Sequence, residues 1–144
     1  MSEEIDMEAV QAYAGSMVGH MVGAATVVCS ELAHKLGLYR HLAGSGGMTA
    51  EALAQAASTH PRLTRELLDQ QASAGVLTYD VDADTYELSD VGALVMAEQH
   101  SPAWLAGALQ AVRAMYMGLD QVEAAFRGDG AVPWGDHHRW ETIF

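Results

Sequence analysis

The chain has 144 residues, seven Lys and Arg against nineteen Asp and Glu, and a formal net charge of −12. Half its residues are hydrophobic and 18% are charged, a balance that gives one globular domain and excludes a disordered chain. So acidic a surface argues against nucleic acid and anionic membranes as partners, and a lone Cys29 excludes an internal disulfide.

The N-terminus, Met1-Ser2-Glu3-Glu4, is acidic, unlike the basic start of a signal peptide. The most apolar stretch, Met21 to Cys29, is far short of a membrane span. The expected location is the cytoplasm, with no membrane partner and with Cys29 as a small packed hydrophobe.

Met7, Val10, Ala14, Met17, Met21, Ala24 and Val28 recur at alternating steps of three and four. That spacing predicts a helical arm over 5–36, as one long helix or two in tandem. Gly15, Gly19 and Gly23 fall four apart on one face. Each costs about 1 kcal/mol relative to alanine in a helix, so the stripe needs a reason. Close approach of another backbone supplies one, and these three glycines are the expected dimer interface.

Leu36-Gly37-Leu38-Tyr39 closes the arm with a glycine near the C′ position. Gly44-Ser45-Gly46-Gly47 is read as a loop, because no Lys-Ser/Thr follows and no strand precedes it. Thr49 caps a helix over 50–57, and Pro61 opens a second that runs to Gly75. From Val76 the period changes. Val76-Leu77-Thr78-Tyr79 and Thr85-Tyr86-Glu87-Leu88 are β-rich and flank the turn Asp80-Val81-Asp82-Ala83-Asp84. The aspartates resemble the start of a calcium loop, but Thr85 and Val91 stand where glycine and glutamate belong. Helix, turn, helix and hairpin over 48–88 make a winged helix. Its second helix balances Arg62 and Arg65 with Glu66 and Asp69, and its wing is acidic, so DNA is not the expected ligand.

Ser89 caps a short helix through Met96, and Ser101-Pro102 opens a long final helix over 102–127. Trp104, Met115, Tyr116 and Met117 add bulk beyond a single stripe. Together with Trp134 they are the expected lining of a small-molecule site. The aromatic tail, 130–144, carries Trp134, His137, His138, Trp140 and Phe144. The fold class expected is therefore mainly α, a single winged-helix-like domain with one small β-hairpin and long terminal dimerisation helices.

The familiar catalytic patterns are missing. The seven histidines show no HExxH or paired Cys/His spacing, and there is no G-x-S-x-G. No metal site is expected. Tyr116, His137 and His138 are the acid–base candidates if chemistry occurs, with core packing as their alternative role. No strand is followed by a glycine-rich turn, so no cofactor-binding residue is expected in this chain.

The order of parts resembles the N-terminal dimerisation domain of bacterial S-adenosylmethionine (SAM)-dependent small-molecule O-methyltransferases. The carriers are Leu36-Gly37-Leu38-Tyr39, the helix start from Met48-Thr49 to Ala54, and Arg62-Leu63-Thr64-Arg65-Glu66-Leu67-Leu68. They continue with Ala74-Gly75-Val76-Leu77, Tyr86-Glu87-Leu88-Ser89 and the stretch from Trp104 to Phe126. The resemblance implies an intertwined homodimer and a last long helix that roofs a pocket for a small aromatic or polyketide-like molecule. It also implies that SAM enters only with a Rossmann-like partner domain or subunit, so this chain alone is not expected to transfer methyl groups. Two alternatives stand beside it. One is a stand-alone binder or cyclase/isomerase derived from that domain; the other is a winged-helix transcriptional regulator.

Overall fold

A computed structural model of the chain describes residues 5–128 and 130–132. The expected site residues Trp134, His137 and His138, with most of the aromatic tail, lie outside the described residues.

The arm is one helix, α1 (Met7–Lys35). Asp6 starts it by accepting from the backbone N–H of Glu8 and Ala9 at 2.9 and 3.3 Å, and Gly37, at φ 74°, turns the chain out of it. A left-handed residue there satisfies the last carbonyls, and glycine adopts it without steric cost. Four short helices follow: α2 (Leu38–Leu42), α3 (Ala50–Ala57), α4 (Pro61–Ser73) and, after the hairpin, α5 (Asp90–Met96). Thr49 caps α3 through Ala52 N–H, Ser89 caps α5 through Gly92 N–H, and Pro61 sits in the first turn of α4. These local signals place the ends where the sequence reading put them.

The hairpin strands β1 (Thr78–Asp80) and β2 (Thr85–Glu87) pair antiparallel, with Tyr79 opposite Tyr86. Met48 bridges to β2 as well: its N–H donates to Tyr86 at 3.0 Å and its carbonyl accepts back at 2.8 Å. The loop before α3 is thereby tied to the wing. Leu38, Leu42, Leu53, Leu68, Tyr39 and Tyr86 form the centre of the core, all fully buried. Among them lies Gln71, also fully buried, whose side-chain oxygen accepts from Ser30 and from the Tyr39 hydroxyl. Burial in this apolar surround pushes the Tyr39 phenol up to about 12.

The final segment departs from the expected single helix. Ser101 caps only a turn, and Leu105 N–H donates to Val95 at 2.9 Å, which pins this stretch to α5. A 3₁₀ turn (Ala106–Ala108) leads into α6 (Leu109–Met117), and α7 (Leu119–Arg127) follows a break at Gly118. Two glycines account for the difference. Gly107 lets the Trp104 ring fold back so closely that a Cβ there would lie 2.5 Å from it. Gly118 is a weak helix former at the break itself.

Candidate functional site

The first part of α1 stands clear of the domain. Every residue over 7–23 is exposed, a length of about 25 Å at helical rise. Burial begins only with Ser30, Glu31 and Ala33. The exposed part is apolar: Tyr13 is 74% exposed and Met21 69%, and Met7, Met17, Val18 and Val22 are exposed as well. A Cβ added at Gly15, Gly19 or Gly23 would meet nothing within 4 Å. The glycine face that the spacing picked out is therefore open within one copy of the chain. Although its most apolar run is short, α1 is long and apolar enough to cross a membrane by length and composition, with a mean hydropathy of 1.3 over its most apolar 18 residues.

The winged-helix face is electrostatically closed. Arg65 on α4 reaches Asp84 at 2.8 and 3.1 Å, and the Tyr79 hydroxyl donates to the same carboxylate at 2.6 Å. The arginine holds the Asp84 carboxyl down to about 2, while the carboxylate pushes the arginine further above its ordinary range. Asp69 accepts from the Tyr86 hydroxyl, and Arg62 lies 3.9 Å from Glu66. Asp80 accepts from the N–H groups of Asp82 and Ala83 at 2.9 and 3.0 Å. The wing acids thus have separate tasks: Asp80 builds the turn, Asp84 clasps the helix, and Asp82 is exposed. Arg65 is held within the domain by Asp84, and Arg62, although exposed, has Glu66 beside it.

The expected small-molecule lining is divided. Trp104 turns inward, 6.1 Å from the His34 ring on α1, with its indole nitrogen buried. Met115, Tyr116 and Met117 are exposed on α6. Two open depressions lie elsewhere. One, of about 210 Å³, is lined by Val122, Ala125, Phe126, Gly130 and Val132 at the end of α7. The other, of about 340 Å³, lies between Ala43-Gly44 and the α5 residues Asp90, Ala93 and Leu94, with Glu98 at its edge. Among the described residues no group of three or more His, Cys, Asp or Glu could hold a metal ion.

Sequence reasoning missed the Arg65–Asp84 clasp and a second ion pair, between α1 and α6. Glu31 on α1 has a side chain only 6% exposed and lies 3.2 Å from Nε of Arg113 on α6. Eighty-two residues separate the two, and no local pattern announces such a pair.

The model of the Rv2258c-like winged HTH domain family matches residues 23–98. No curated protein sequence matches the chain. Among solved structures, the mitomycin 7-O-methyltransferase MmcR superposes with a TM-score of 0.68 at 24% identity, over 94% of this chain and 42% of its own. Human N-acetylserotonin methyltransferase, in complex with SAM, gives 0.66 at 20% identity, over 94% and 41%. PigF gives 0.66 at 21%, over 83% and 38%. At these identities the likeness is one of fold, and the chain spans about two fifths of the length of each.

Proposed function

This chain belongs to the Rv2258c-like winged HTH domain family, and from that premise we propose that it is the dimerisation and substrate-capping domain of a SAM-dependent methyltransferase-like protein of small-molecule biosynthesis. The observation that carries the reading is the exposed apolar length of α1 with three open glycines on one face. Apolar surface of that extent on one helix is costly to leave in water, and a side-chain-free stripe suits a helix crossing at short range. The occupant is a second copy, in the cytoplasm, and not a bilayer. The likeness in fold to the mitomycin 7-O-methyltransferase MmcR and to CalO1, a methyltransferase in calicheamicin biosynthesis, supports the biosynthetic setting.

Methyl transfer, in this reading, draws its SAM from a Rossmann-like partner domain or subunit. The small molecule, aromatic or polyketide-like, would meet the exposed Met115-Tyr116-Met117 face of α6 once the second copy and the cofactor-binding part complete the pocket.

A two-fold contact repeats the same patch on both copies. Gly19 is the middle glycine of the stripe, so a crossing centred there brings it opposite itself. In a Cys29→Ser background, Gly19→Cys should form a reducible covalent dimer under mild oxidation. Failure to cross-link at concentrations where the chain is associated would move the crossing off the glycine face. Calorimetry of SAM against the same chain should give no heat of binding, and saturable micromolar binding would overturn the absence of a cofactor site.

A further inference from the structure

We infer that the Glu31–Arg113 ion pair is the positioning contact that fixes the rotation of the capping helix α6 on α1, so that its Met115 face is presented outward. The inference rests on the capping role proposed above. Its basis is the way α6 is held. No residue of α6 is fully buried, so no deep apolar knob locks it in place. Among the described residues, the ion pair with Glu31 is the one polar side-chain contact that joins α6 to another element, a contact of charge whose Nε and Oε1 atoms are buried and make no hydrogen bond. The carboxylate it uses is 94% buried at the side chain and sits at the inner end of α1, beside Ser30 and Ala33 in the core.

A buried carboxylate is costly unless paired, and a buried pair adds little net stability over apolar packing. What it supplies is register. Apolar faces slide and rotate at small cost, whereas an uncompensated buried charge penalises every orientation that breaks the pair. Lys35 is 4.0 Å from Glu31 but half-exposed, so it screens the carboxylate without fixing α6. Arg113, 38% exposed, reaches in from α6 and is the partner whose loss leaves Glu31 stranded. Around an α-helix, Met115 lies about 200° from Arg113. Holding Arg113 against α1 therefore turns Met115 away from it, as its 60% exposure records. At the other end, Trp104 closes over Gly107, so the segment has two anchors of different kinds. The apolar one fixes where α6 begins, and the ionic one fixes how it is turned.

Amide hydrogen exchange on the full chain tests this. Glu31→Gln and Arg113→Met should each speed exchange over 109–117 by about tenfold, with 50–73 unchanged. The double variant should be no faster than either single one, because the two side chains act as a unit. Arg113→Lys, which keeps the charge, should restore most of the protection. Unchanged exchange in α6 would overturn the inference. So would equal acceleration in α3 and α4, which would mark a general core role, or additive effects in the double variant. Sedimentation of the same samples separates the two readings: a monomeric wild type sinks the dimer proposal, while the exchange pattern still reports on the pair.

Discussion

Arg65 and Asp84 form a two-point ion pair that closes the wing onto α4, Nη2 to Oδ1 at 2.8 Å and Nη1 to Oδ2 at 3.1 Å. A guanidinium fork on a carboxylate is the strongest geometry for such a pair. Here it holds Asp84 in a left-handed conformation, φ 52°, that a non-glycine residue rarely adopts. Arg65 is thereby committed to a contact within the domain.

This pair gives the wing a pH dependence with a definite sign. The Asp84 carboxyl is lowered from 3.8 to about 2 in the folded chain by Arg65 and the Tyr79 hydroxyl. Its contribution is therefore present above about pH 4 and lost as pH falls toward 2. Asp84→Asn should lower the unfolding midpoint at pH 6, and the difference from wild type should shrink as pH falls through 3. A difference that stays constant down to pH 2 would show that Asp84 acts through turn geometry alone.

Gly107→Ala should destabilise the junction between α5 and α6. The added Cβ would lie 2.5 Å from the Trp104 ring, which must then leave its seat beside His34. Overpacking of this kind costs about 1–3 kcal/mol. Urea unfolding followed by tryptophan emission reads both the loss and the displaced ring. A variant with wild-type midpoint and spectrum would mean that the ring moves freely.

The winged helix should not bind DNA with useful affinity. Arg62 and Arg65 both lie on carboxylates, and Asp82 is exposed at the wing turn. A gel shift at low ionic strength, where electrostatic binding is strongest, should leave duplex DNA unretarded. Binding with a steep salt dependence would restore the regulator reading.

The elements that the sequence reading placed well are those whose signals are local. Thr49, Pro61, Ser89 and Gly37 act on backbone groups within four residues, so their effect is readable in a short window. The glycine stripe was legible for the same reason, since a four-residue spacing fixes a face whatever surrounds it. The final helix was misread because its periodicity is continuous across 102–127, while the bend depends on Trp104 packing over Gly107 and on Leu105 bonding to Val95. The Glu31–Arg113 and Arg65–Asp84 pairs were invisible because they join residues on different elements. Charge counts registered their members only as surface charge. Trp104 and Met115 were grouped by nearness in sequence; Trp104 lies near the His34 ring, and Met115 is exposed on α6.

Sedimentation velocity of the chain at micromolar concentration, beside Gly19→Leu, addresses the central claim most directly. Gly19 lies at the centre of the open face, is exposed, and a Cβ added there meets nothing within 4 Å, so the substitution is made clear of the domain core. The account predicts a dimer for the wild type and a population shifted toward monomer for Gly19→Leu, with unchanged helical content. A wild-type chain that sediments as a monomer would contradict it.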